Sequence, residues 1–425
     1  MYRLTLLAII LLTSATGLPA QALSGPFTHA DTLRGSDGPA RSWWDVTFYD
    51  LHVTIDLQNT AIEGWNRITY LVLDPATEMQ IDLQRPMEVD SIVQDGRGIE
   101  YRRDGNAFFA TLRADQPVGE TKQVTVYYHG TPRAAMNPPW DGGFIWRESR
   151  GGDPWVATAN QGLGASVWWP TKDLQAAEPD SQRISITVPD PFEEVSNGRL
   201  RSTTANDDGT TTYEWFVANP INNYNVTVTI GEYAHWAEAY EGELGTLTMD
   251  FWPLAENEDA ARRQWVQARP TLRCFEEWFG PYPWYEDGFK LIETPHLGME
   301  HQSAVAYGNG YGNGYLGNDL SGTGHGLTWD YIIVHESAHE WFGNNITAAD
   351  VAENWIHEGF ATYAENLYIE CLTGSQEDAA EYVIGTRQRI ANAQPVVGIF
   401  GVNSDGSGDM YNKGANLLHT LRQVV

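Results

Sequence analysis

Two histidines four residues apart, with a glutamate between them, are the residues in this chain best placed to do chemistry: His335-Glu336-Ser337-Ala338-His339. On a helix, positions i and i+4 share a face, so both imidazoles can meet one metal ion. Glu336 sits about 100° round the helix from His335 and can act on a water at the metal without being a ligand. Ile332, Ile333 and Val334 precede the motif, and Trp341 and Phe342 follow it. The helix is therefore expected to be buried on several sides, where unpaired charge is costly, which argues against a solvated His/Glu surface. A catalytic metal needs a third protein ligand and an open position. Glu358 supplies the third, in Asn354-Trp355-Ile356-His357-Glu358-Gly359-Phe360, with eighteen residues between it and His339. A His/His/Glu donor set suits zinc, one ion per chain, better than metals that seek all-oxygen sites.

These ligands need two helices and a tight return. The patterns predict helices over about 328–343 and 348–373, with Gly343-Asn344-Asn345 turning the chain back and Gly374 ending the second. On that second helix Val351, Trp355, Glu358, Thr362, Glu365 and Ile369 share one face by 3–4 spacing. Glu365 lies two turns beyond Glu358. It either accepts the second N–H of a metal-binding histidine or forms a simple buried ion pair. Upstream, Ala255–Phe279 reads as helical with a kink at Pro270, and Phe289–Ile292 and Gly298–Tyr307 read as short strands. Residues 308–326, rich in Gly, Asn and Ser, must be a loop, and its length suggests a functional one.

The region from about 43 to 235 reads as β-structure. Leu51, Val53, Ile55 and Leu57 alternate with polar residues, and Val124, Val126, Tyr128 and Ile184, Ile186, Val188 repeat the pattern. Turn signals such as Asp95-Gly96 and Asp208-Gly209 punctuate it. The fold class expected is a multidomain α+β protein. A β-rich N-terminal domain over 23–238 precedes an α/β catalytic domain over 239–425. With 425 residues, two domains fit the length better than one core.

The formal net charge of −30 makes nucleic acid an unsuitable partner, since such binders carry basic patches. Only Lys122, Lys172, Lys290 and Lys413 are lysines, which fits either a salty habitat or an Arg-biased genome. Residues 1–22 read as a signal peptide: Arg3, an apolar run over Leu4–Leu12, and a small-x-small site at Ala20-Gln21-Ala22. The expected location is therefore periplasmic or extracellular, with no transmembrane segment after cleavage. An exported protein could pair Cys274 with Cys371, but two thiols do not make a disulfide framework, and both are read as buried hydrophobes.

Taken together, His335-Glu336-x-x-His339, the eighteen-residue gap and Trp355-x-x-Glu358-Gly359-Phe360-Ala361 resemble the zinc aminopeptidases of the aminopeptidase N and leukotriene-hydrolase type. Leu297-Gly298-Met299-Glu300-His301 is similar to that family's Gly-x-Met-Glu-Asn motif, and Tyr411-Asn412-Lys413-Gly414 to its Tyr-x-Lys-Gly motif. Tyr49-Asp50-Leu51 and Gly64 resemble the opening strands of its saddle-like β domain. The resemblance implies a thermolysin-like catalytic domain that removes N-terminal residues from peptides with a free N-terminus. It implies that His335, His339 and Glu358 hold zinc and that Glu336 is the base. Glu300 would bind the substrate's α-amine, with Gln161 as a second amine-binding residue, and Tyr411 would stabilise the tetrahedral intermediate. The backbone at Gly298 and Met299 would pair with the peptide by strand addition.

His301 stands where Asn is usual and Glu340 where Gln is usual. The family's catalytic domain continues beyond its Tyr-x-Lys-Gly motif, whereas the apolar pattern of Leu417, Leu418, Leu421 and Val424 runs to the last residue, so a C-terminal truncation is expected. The alternatives are a thermolysin-like endopeptidase, which the amine-binding Glu300 opposes, and a scaffold that has lost catalysis, which the intact ligand set opposes.

Overall fold

The computed structural model describes residues 27–113 and 116–425, and the expected signal peptide over 1–22 lies outside them. The N-terminal part is a stack of β-sheets. Its eight-stranded sheet runs, in spatial order, Arg199–Ala205, Thr210–Val217, Ser181–Pro189, Trp44–Asp56, Ala61–Val72, Thr121–Gly130, Glu88–Gln94 and Arg97–Ile99. Trp44–Asp56 pairs parallel with Ser181–Pro189 and antiparallel with Ala61–Val72. The alternation in the sequence is borne out: Leu51, Val53, Ile55, Val124, Val126, Ile184 and Ile186 all enter one core. Gly64 is required where the first two strands cross closely, because a Cβ there would lie 2.0 Å from the His52 carbonyl oxygen. Tyr49 ties this sheet to the segment that follows Gln161: its hydroxyl accepts from Thr171 Oγ1 at 2.9 Å and from the Lys172 N–H at 3.0 Å.

The second part opens on a five-stranded sheet, in the order Trp236–Gly242, Gly245–Trp252, Phe289–Glu293, Val305–Tyr307 and Gly298–Met299. Gly298–Met299 is thus an edge strand, hydrogen-bonded on one side only, to Tyr307 and Ala306. Helices pack behind the sheet around a second core that includes Leu291, Val305, Ile333, Val334 and Ala361. Asp330 fastens the motif helix (Tyr331–Ala338) to this sheet. Its carboxylate caps Ile332 N–H at 3.1 Å and accepts from Tyr307 Oη at 2.7 Å and Asn309 Nδ2 at 2.8 Å. The 308–326 loop is held through the same aspartate. Among the described residues no helix is long and apolar enough to cross a membrane.

Three expectations are corrected. The motif helix is shorter than 328–343, and His339 is its C-cap. The chain leaves the helix because Asn344 N–H turns back to the His339 carbonyl at 3.0 Å and Gly343 takes φ +124°, a conformation open to glycine. The next helix spans Trp355–Thr373 rather than 348–373, since Asp350 caps a separate 3₁₀ turn at Val351–Glu353. Val351 therefore leaves the helical face assigned to it. The 255–279 segment is broken by a 3₁₀ turn at Trp265–Gln267, and Pro270 falls in the first turn of the helix Ala268–Phe279, where proline is tolerated without a kink.

The cysteines are not separate buried hydrophobes. Cys274 and Cys371 form a disulfide with a Cα–Cα distance of 6.0 Å, and Cys371 lies on the surface. Helix 268–279 packs against helix 355–373, which brings together residues 97 apart in the chain. Single-residue patterns carry no trace of that juxtaposition. In the last helix, Asp409–Val424, Leu417, Leu421 and Val424 face outward, while Leu418 packs on a small core with Tyr363 and Leu367.

Candidate metal and catalytic site

His335 and His339 turn their Nε2 atoms toward each other at 3.3 Å, and each lies 3.5 Å from Glu358 Oε2. The opposite ring nitrogens are both spoken for. His335 Nδ1–H donates to Glu365 Oε1 at 2.8 Å, and His339 Nδ1–H donates to the Phe342 carbonyl at 2.9 Å. With the Nδ1 protons so placed, both Nε2 atoms present lone pairs to the same point. Glu358 Oε2 is buried and has no hydrogen-bond donor among the described residues. In these tautomers the three converging acceptors fit a cation, and the imidazole–imidazole–carboxylate set fits zinc. Electrostatics agree. Burial opposes charge on His339, yet Glu358 and Glu300 hold its pKa up at about 9, so this point favours positive charge.

Glu365 is the histidine's partner rather than one half of a simple ion pair. Its second oxygen accepts from Tyr382 Oη at 2.7 Å, which fixes the carboxylate that orients His335. Replacing Glu365 by glutamine is therefore expected to weaken metal binding by about 10–100-fold, measured by competition against a chelator of known affinity. An unchanged affinity would mean that the ring is oriented by packing alone.

Glu336 points into the same cleft from the motif helix. Burial raises its pKa to about 7, with His335 opposing and Glu300 reinforcing the shift. Gly298 makes room for it: a Cβ at that position would stand 2.6 Å from Glu336 Oε1. Ligand-capable atoms of Glu300, Glu336 and His339 lie within 4.8 Å of one another. Glu300 Oε1 accepts from Gln161 Nε2 at 2.6 Å and from Tyr224 Oη at 3.0 Å. Gln161 also reaches Glu358 Oε1 at 3.2 Å, so the β-rich domain supplies part of this cleft.

Tyr411 closes the remaining side, its ring 6.2 Å from that of His335. Burial, then Glu358 and Glu300, drive its pKa well above that of a free tyrosine, so it is a protonated donor at neutral pH. Two motif glycines set its position. A Cβ on Gly414 would sit 2.9 Å from Gly359 Cα, so the helices carrying Glu358 and Tyr411 cross with their backbones in contact.

All the residues singled out in the sequence thus come together, including Gly298 and Met299 on the edge strand. Tyr224, Tyr382 and the Phe342 carbonyl were missed, because each acts only through a neighbour that tertiary contact supplies. The two departures from the family pattern are both buried. The His301 imidazole has no hydrogen-bond partner among the described residues, and burial lowers its pKa to about 3, so it is neutral. Glu340 accepts from Ser303 N–H at 2.9 Å and from Asn344 Nδ2 at 3.1 Å, and Asn344 Nδ2 also reaches the Glu300 carbonyl at 2.9 Å. Glu340 thereby braces the strand that presents Glu300.

Residues 267–425 match the model of the peptidase family M1 domain. Aminopeptidase B of Mus musculus is 26% identical over 235 residues, covering 55% of this chain and 33% of that protein. Leucine aminopeptidase 2 of Emericella nidulans is 20% identical over 351 residues, covering 80% of this chain and 48% of that protein. The chain thus spans about a third of the length of the mouse relative it matches. Among solved structures, a mutant of the M1 zinc metallopeptidase from Deinococcus radiodurans, bound to a Tyr-Ser-Ala substrate, superposes with a TM-score of 0.72. It is 21% identical, over 92% of this chain and 85% of that one. Native yeast LTA4 hydrolase superposes with a TM-score of 0.70 at 16% identity, over 90% of this chain and 60% of that one. These structural likenesses show a shared fold.

Proposed function

We propose that this chain, whose residues 267–425 match the peptidase family M1 domain, is a zinc-dependent aminopeptidase of that family, with His335, His339 and Glu358 as its zinc ligands. The observation that carries this reading is the closeness of Glu300 to Glu336 and His339. An α-amine lies about 2.5 Å from its own carbonyl carbon. An ammonium held by Glu300 therefore presents only the first peptide bond to the base and the metal ligands. An internal bond has no free amine to offer, and leaves the Glu300 carboxylate buried without its cation.

His335, His339 and Glu358 would hold zinc, which when bound would supply a Lewis acid for the scissile carbonyl and lower the pKa of water toward ~7. Glu336 takes the proton from the attacking water and returns it to the leaving amine. Tyr411 donates its hydroxyl proton in a hydrogen bond to the oxygen on which negative charge develops. Glu300, with Gln161 and Tyr224 behind it, holds the substrate ammonium. The edge strand at Gly298–Met299 offers unpaired backbone groups to the extended peptide.

An exported location fits this chemistry. The apolar run over Leu4–Leu12 supports it from the sequence, and the Cys274–Cys371 disulfide supports it independently, since such bridges persist in oxidising compartments. The test is a panel of aminoacyl-fluorophore substrates, free and N-acetylated, run before and after chelation. Elemental analysis is expected to find one zinc per chain, chelation to abolish turnover, and acetylation to abolish it too. Glu300→Ala is expected to lower kcat/KM on free substrates by about 10²-fold, as loss of one partner of a buried charge pair does. Equal cleavage of blocked and free peptides by the parent enzyme would overturn the reading.

A further inference from the structure

Amine recognition depends on Glu300, yet the sheet does not hold this residue. The ladder between Gly298–Met299 and Val305–Tyr307 ends at Met299, one residue short of it. The carboxylate and the carbonyl of Glu300 are instead held separately, and both ties lead to one short turn of the β-rich domain, Asn223–Asn225. Tyr224 Oη donates to Glu300 Oε1 at 3.0 Å. Asn225 Nδ2 donates to Asn344 Oδ1 at 2.8 Å, and Asn344 Nδ2 donates in turn to the Glu300 carbonyl at 2.9 Å.

The direction of this relay is fixed by its acceptors. Asn344 Nδ2 faces both the Glu300 carbonyl and Glu340 Oε2, so the amide oxygen is left for Asn225. Turned the other way, Asn344 would set its oxygen against two acceptors. Asn225 is fully buried, and its own Oδ1 has no partner among the described residues. Burying an amide with half of its groups unpaired is costly, so an apolar side chain would be the more stable choice if packing were the only task at this position. The turn that presents Tyr224 and Asn225 is itself anchored within the β-rich domain. Asn222 Oδ1 accepts from the Tyr224 N–H at 3.2 Å, Asn223 Nδ2 donates to the Lys172 carbonyl at 2.7 Å, and Asn197 Nδ2 donates to the Asn225 carbonyl at 2.9 Å.

We propose that Asn225 is a positioning residue for amine recognition: acting through Asn344, it fixes the backbone of Glu300, while Tyr224 beside it in the chain fixes the carboxylate. The proposal rests on the aminopeptidase reading and adds that the spacing of Glu300 from Glu336 and His339 is set across the domain boundary. Glu300, Glu336 and His339 all belong to the catalytic domain, but the turn that holds Glu300 does not. Loss of the Asn225 donor leaves the Asn344 oxygen buried and unpaired, and the amide then has no reason to keep its nitrogen on the Glu300 carbonyl.

The test compares three variants with the zinc-loaded parent. Asn225→Leu keeps the branched shape and removes the donor, and Asn225→Ala removes both. Tyr233→Phe removes another buried bond across the same boundary, from Tyr233 Oη to the Glu293 carbonyl at 2.9 Å, which does not lead to Glu300. KM for free aminoacyl substrates is expected to rise about tenfold in both Asn225 variants, with kcat within about threefold of the parent and zinc content unchanged. Tyr233→Phe is expected to keep KM within about twofold. Amide hydrogen exchange over residues 298–303 is followed on the same proteins and needs no turnover. It is expected to quicken about tenfold in the Asn225 variants alone. A parent that cleaves free and N-acetylated substrates alike defeats the aminopeptidase reading, and the exchange rates then still decide this one. Parental KM and exchange in Asn225→Leu, with losses confined to Asn225→Ala, would make Asn225 a packing residue and overturn the proposal. Equal losses in Tyr233→Phe would also overturn it, by tracing the effect to loosened domains.

Discussion

Replacing Glu336 by glutamine is expected to lower kcat by about 10²–10⁴-fold while one equivalent of zinc stays bound. The reason is the division of labour within the motif. His335 and His339 converge with Glu358 Oε2, whereas the Glu336 carboxylate lies against Gly298 and close to Glu300. Glutamine keeps the shape that fits against Gly298 and removes the only function of Glu336 in the mechanism, the capture of a proton. Burial lifts the Glu336 pKa to about 7, close to the value at which a base works best at neutral pH. Elemental analysis and pre-steady-state kinetics on the same preparation check both halves. A variant with near-parental rate would move the base elsewhere, and one that lost its metal would make Glu336 a ligand.

Removing the disulfide, by replacing Cys274 and Cys371 with alanine, is expected to destabilise the protein by about 3–5 kcal/mol. The bridge closes a loop between residues 97 apart, and loops of that length restrict the unfolded chain strongly. It also joins the helix 268–279 to the end of the helix that carries Glu358 and Glu365, so both the metal ligand and its supporting carboxylate depend on that packing. Denaturant unfolding of the oxidised parent and the double variant, each zinc-loaded, measures the difference. A change below about 1 kcal/mol would show that helix packing holds the pair together unaided. Reduction of the parent is expected to reproduce the variant's loss.

The two expected results draw on different kinds of information. Glu336 can be assigned from the chain alone, because the i, i+4 histidines and the residue between them keep their mutual geometry on any helix. The same holds for the alternating strands around Leu51 and Ile184, whose period matches the pleat. Glu358 was legible too, since a Gly-Asn-Asn return leaves few ways to lay one helix on the next. Glycines 359 and 414 stood out as parts of motifs, but the sequence carried no reason for them. The reason is the crossing of two helices, and it exists only once both backbones are in place.

What the tertiary structure decided lies at contacts between distant segments. The Cys274–Cys371 bridge was misread because two cysteines carry no pairing information until two helices pack. Tyr224 reaches Glu300 across 76 residues, and Tyr382 completes the Glu365 contact from a separate helix. Helix ends were also misjudged, because Asp350 and Gly343 set them through capping and a positive φ rather than through apolar period. Local chemistry and periodicity are properties of short stretches and can be read from the chain. Which distant side chains meet depends on how the sheets and helices pack, and that is where the site gains its amine pocket and its oriented histidine.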